Sequence, residues 1–186
     1  MRGRSEVAML LFLASESVFF VMLILAYVYF RHSPANPAGA GPGVLDVPHT
    51  AAFTACLLAS SLTVWLAGRS LKRDRQWATQ LWLAATVVLG AIFLVGQGTE
   101  YLGLIDKHVT IDRDVFGTAF FTLTGFHSFH VFAGLVALVV VLGLAIAGDF
   151  SPDRRSAVSA VSLYWHFVDA VWVVIFSVVY LWSLAG

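Results

Sequence analysis

The chain reads as an all-α integral membrane bundle of five transmembrane helices. Three observations lead there. Fifty-nine per cent of the residues are hydrophobic and only 12% are charged, where soluble domains carry about 25% charged residues. Mean hydropathy is +0.84. Apolar stretches long enough to cross a bilayer recur along the chain, at about 7–30, 49–68, 77–103, 115–147 and 157–184.

The first stretch follows a short basic N-terminus and so imitates a signal peptide. Its apolar run from Val7 to Phe30 is too long for such a region, and Glu16 interrupts it. It is read as a retained first membrane helix. The linker RHSPANPAGAGPGVLDVP is rich in Pro and Gly and excludes helix. GRSLKRDRQ, between the second and third helices, is short and basic. LIDKHVTIDRD follows the third, and GDFSPDRR precedes the last. There Ser151–Pro152 predicts a turn and Ser156 a helix cap. Trp77, Trp82 and Trp182 fall near segment boundaries, as interfacial anchors do. All 186 residues form one membrane domain.

Basic residues set the expected orientation. The N-terminus with the second and fourth linkers holds Arg2, Arg4, Arg69, Lys72, Arg73, Arg75, Arg154 and Arg155, against Arg31, Lys107 and Arg113 opposite. That asymmetry puts the N-terminus in the cytoplasm and the C-terminus outside.

A net charge of zero gives no electrostatic case for binding nucleic acid. The single cysteine, Cys56, excludes an internal disulfide, a CxxC pair and a haem-attachment CxxCH, and is expected as a small buried hydrophobe. No serine stands in a nucleophile motif such as GxSxG.

Six ionisable side chains fall inside the apolar segments: Glu16, Glu100, His127, His130, His166 and Asp169. Each needs a partner or a reason at that depth. His127 and His130 share a helix face with Gly134 in FGTAFFTLTGFHSFHVFAGL; His166 and Asp169 do so in LYWHFVDAVW, and Gln97 with Glu100 in GQGTEY. The sharp reading of these pairs is a metal site. Di-iron bundles use Glu-x-x-His on two helices with two further glutamates, a pattern absent here, so no metal ligands are assigned. Hydrogen bonding between helices, or proton handling with Glu16 at its centre, are the readings kept open. Glu100, His127 and His130 are expected to form one network joining the third and fourth helices. Glu16 lies roughly 15 Å into its helix. A free carboxylate there is heavily penalised, so a protonated or hydrogen-bonded carboxyl is expected, packed toward another helix or subunit.

Taken in order, LFLASESVFF with AYVYFRHS, HTAAFTACLLASSLTVWLA, GQGTEY, FFTLTGFHSFHVFAG and YWHFVDAVWVVIFSVVY resemble subunit III of the haem–copper oxidases, the cytochrome c and quinol oxidases. The resemblance covers nearly the whole chain. It implies a subunit with no active site, haem or copper of its own. Such a subunit packs on catalytic subunit I, beside subunit II and other respiratory-complex subunits that carry those cofactors. The complex reduces oxygen and pumps protons, and this subunit supports proton uptake. The family's intramembrane glutamate maps onto Glu16. Its glutamate–histidine contacts map onto Glu100, His127 and His130, and its C-terminal His and Asp onto His166 and Asp169. Family members hold phospholipid with basic residues where Arg154 and Arg155 stand. The fuller family form has seven helices, and this chain begins at what resembles the third. The five-helix form is similar to that of bacterial oxidases and implies the bacterial cytoplasmic membrane. The two helices lacking here form one wall of the family's lipid cleft. Other readings are an accessory subunit of a nitric oxide reductase and an autonomous small membrane transporter.

Overall fold

The computed structural model describes residues 4–31, 45–111, 115–147 and 152–182, with side chains described from residue 7 in the first stretch and from residue 156 in the last. Those residues form five long helices: α1 (Arg4–Arg31), α2 (Val47–Lys72), α3 (Gln76–Asp106), α4 (Val115–Ile146) and α5 (Pro152–Phe176). A π-helical turn, Ser177–Leu181, continues α5. Each helix is long and apolar enough to cross a membrane.

The apolar runs locate the helices and the polar ends extend them. α2 begins ahead of the expected residue 49. Pro48 is tolerated in its first turn, and the Asp46 side chain accepts a hydrogen bond from His49 N at 3.1 Å. α5 begins at Pro152, a residue whose fixed φ suits a first helical position. Ser156 is therefore inside α5 and does not cap it. The expected Ser151 turn residue lies outside the described residues. Cys56 is half-buried rather than buried.

α4 packs against α1, α3 and α5, and α5 packs against α1, α2 and α4. With α2 against α3, the helices close a ring around Trp165, Trp172, Tyr180, Phe93 and Phe120, all fully buried. Glycines make this centre close-packed. A Cβ on Gly90 of α3 would lie 2.8 Å from the Trp165 ring, and one on Gly134 of α4 would lie 2.9 Å from the same indole. Trp165 is thus clasped between two bare backbones. Polar side chains tie neighbouring helices. Thr63 Oγ1 meets Thr86 Oγ1 at 2.8 Å, Gln80 donates to the Ala145 carbonyl at 2.9 Å, and His49 Nε2 lies 3.1 Å from Thr99 Oγ1.

Candidate functional site

Glu16 projects from the middle of α1 toward α4. Its Oε2 lies 3.1 Å from His130 Nε2, and the two side chains are 20% and 12% exposed. The other imidazole nitrogen, Nδ1, donates to the Phe126 carbonyl one turn back, at 2.7 Å. With Nδ1 committed, Nε2 and Oε2 share a single proton: a neutral carboxyl donates to a neutral imidazole, or an imidazolium donates to a carboxylate. Tyr164 of α5 closes the group by donating to the His130 carbonyl at 3.0 Å. Phe12 stacks on Tyr164, and the Phe20 ring meets His130 edge-on at 5.0 Å. Of the aromatics one turn either side of Glu16, Phe20 thus packs on the pair itself and Phe12 on the tyrosine beside it.

His166 and Asp169, one turn apart on α5, converge on Ser61 of α2. The Ser61 hydroxyl donates to Asp169 Oδ2 and accepts from His166 Nδ1, the latter at 3.0 Å. The neighbouring indoles reach the same helix. Trp165 Nε1 donates to Ser60 Oγ at 2.8 Å, and Trp172 Nε1 donates to Thr54 Oγ1 at 2.9 Å. Four side chains of α5 thus share three hydroxyls of α2. A run of small hydroxyl residues lets the helices approach and supplies the polar partners.

The expected network of Glu100, His127 and His130 does not form. His130 is turned to Glu16, and Glu100 Oε2 accepts from the buried Tyr180 hydroxyl at 2.8 Å. His127 is fully buried, stacked on Trp172 with ring centroids 4.8 Å apart and flanked edge-on by Phe93 and Phe20. Neither of its nitrogens has a hydrogen-bond partner among the described residues. The depth offset accounts for this. Glu100 is six residues from the end of α3, and His127 is deeper in α4. What crosses between α3 and α4 at the level of Glu100 is the longer Tyr101, whose hydroxyl lies 2.7 Å from Thr124 Oγ1.

The six intramembrane ionisable residues therefore separate into a Glu16–His130 pair, a His166–Ser61–Asp169 triplet, a Glu100–Tyr180 pair and a lone His127. Among the described residues, no three of His, Cys, Asp and Glu gather as a metal site. The Arg154 and Arg155 side chains lie outside the described residues. Sequence reasoning missed Ser61 and Tyr180. Tyr180 lies in the π turn, which no residue of SVVYL announces. Ser61 is signalled only by the paired serines of ASSLT on an otherwise apolar helix.

These features define a multi-pass helical membrane protein whose polar interior joins its own helices. Comparison with known proteins makes that class specific. The cytochrome c oxidase subunit III family matches residues 2–184, and the chain belongs to it. Cytochrome c oxidase subunit 3 of Corynebacterium diphtheriae is 39% identical over 180 residues, covering 94% of this chain and 86% of the relative. The Drosophila melanogaster cytochrome c oxidase subunit 3 is 36% identical, covering 94% of this chain and 68% of the relative. Cytochrome bo(3) ubiquinol oxidase subunit 3 of Pseudomonas aeruginosa is 32% identical, covering 96% and 85%. The chain is a haem–copper oxidase subunit III.

Proposed function

We propose that this chain is the non-catalytic third subunit of a proton-pumping terminal oxidase in a bacterial cytoplasmic membrane. It packs on subunit I beside subunit II, and the haem and copper of the complex lie in those partners. The family match over residues 2–184 carries the reading. The geometry supports it, because Glu16, His130, His166, Asp169 and Glu100 each hydrogen-bond to a side chain of another helix or of the π turn. The relatives are named for a cytochrome c oxidase and for a ubiquinol oxidase. The reading is therefore of the subunit, not of one electron donor.

In this reading Glu16 is a structural carboxyl that fixes α1 to α4. Among the described residues, α1 is the least covered of the spans. Leu11, Val18, Met22, Leu25 and Tyr29 form an exposed stripe along it, at the spacing of a helix-packing seam. That stripe is the proposed contact with subunit I. The excess of basic residues on one side supports a cytoplasmic N-terminus, and in this reading Arg154 and Arg155 hold a phospholipid headgroup.

Affinity isolation of the tagged chain in mild detergent tests the assignment. Subunits I and II and a haem spectrum are expected in stoichiometric amount. Recovery of the chain alone, from cells that express the oxidase, contradicts it.

A further inference from the structure

The turn between α2 and α3, away from the polar interior, gathers basic side chains around a concavity. Its residues 69–75, RSLKRDR, carry four basic side chains and one acid, a net charge of four minus one, or +3. Basic residues at a membrane boundary are ordinarily a solvated topological signal. Here the chain reverses sharply. Asp74 takes a φ of 55°, and the N–H groups of Arg73 and Arg75 both return to the Ser70 carbonyl.

The reversal wraps Arg69, Ser70, Arg73 and Arg75 around one concavity of about 290 Å³, with half-buried Trp82 in its wall. Lys72 and Asp74 are not part of that lining. The Arg69 guanidinium lies 5.4 Å from the centroid of the Trp65 ring, which limits its swing. α3 opens onto the same space through Ala78. No side chain caps its start, and its first turn holds no acid, so the positive end of its dipole adds to the field.

Guanidinium forks match phosphate oxygens two at a time, and indoles settle at headgroup level. We propose that this concavity binds a phosphate group, carried by an anionic phospholipid or free in solution. It is a site distinct from the one the family resemblance assigns to Arg154 and Arg155.

The test uses the full chain in nanodiscs, with native mass spectrometry counting phosphatidylglycerol retained from a mixture with phosphatidylcholine. Phosphatidylglycerol should be preferred. The double variant Arg73→Gln/Arg75→Gln should weaken its retention by about fivefold per charge removed, and Lys72→Gln, whose side chain does not line the concavity, should weaken it less than either arginine change. These side chains are all exposed, so the core is untouched. Arg73→Lys/Arg75→Lys, which keeps the charge and loses the forks, should still weaken retention. Retention that excess inorganic phosphate does not displace identifies the lipid as the source. Displacement, or saturable binding of inorganic phosphate alone, identifies free phosphate. Equal losses from Lys72→Gln and the concavity variants, full retention in the lysine variant, or no binding of either probe overturns the proposal.

Discussion

Glu16 of α1 and His130 of α4, 114 residues apart, meet with 3.1 Å between Oε2 and Nε2. This contact joins the least covered helix of the bundle to its centre. Because His130 Nδ1 is already committed to the Phe126 carbonyl, the carboxyl–imidazole contact requires only one shared proton. A group that donates at position 16 can therefore replace the carboxyl.

Glu16→Gln should assemble and turn over as the parent does, with an unchanged pH profile of oxygen reduction. Its amide N–H donates to a neutral Nε2. Glu16→Ala leaves that nitrogen unpartnered and should loosen α1, lowering stability by about 0.6–1.7 kcal/mol, the range of hydrogen bonds between membrane helices. Thermal denaturation of the intact complex measures the difference. A shifted pH profile in fully assembled Glu16→Gln would assign Glu16 to proton handling instead.

Ser61→Ala should cost more than a single hydroxyl. It strips both His166 and Asp169 of a partner at once, and an unsatisfied buried polar group costs about 1–3 kcal/mol. A double-mutant cycle with Asp169→Ala should show coupling of about 0.5–3 kcal/mol. Additive effects would mean that the triplet is only a coincidence of packing.

Gly134→Leu should drive a side chain into Trp165, the indole already 2.9 Å from an added Cβ. Overpacking of this kind costs about 1–3 kcal/mol. The same change in a Trp165→Leu background should be tolerated better than the sum of the two predicts. A melting temperature unaffected by Gly134→Leu would contradict the clasp.

The bundle was legible because bilayer-length apolar runs leave few alternatives, and all five helices fall where those runs stand. Helix ends were less so: Pro48 and Pro152 read as breaks, yet both are accommodated in first turns. The candidate site was legible as a set of misplaced polar residues but not as a set of pairs. Spacing along a helix shows which side chains share a face, as His166 and Asp169 do. It does not fix depth, and depth sent Glu100 to Tyr180 and left His127 among aromatics. The partner of Glu16 was equally beyond reach, since His130 belongs to a helix three spans away in sequence.

In the proposed function this chain supports an oxidase without performing its chemistry. Its most direct test is to strip the chain from the purified complex with stronger detergent and assay both fractions. Haem, copper and oxygen reduction should stay with the remaining subunits, and the separated chain should show neither haem absorbance nor stoichiometric metal. Haem, copper or turnover travelling with this chain, and lost on substituting His127 or His130, would contradict it.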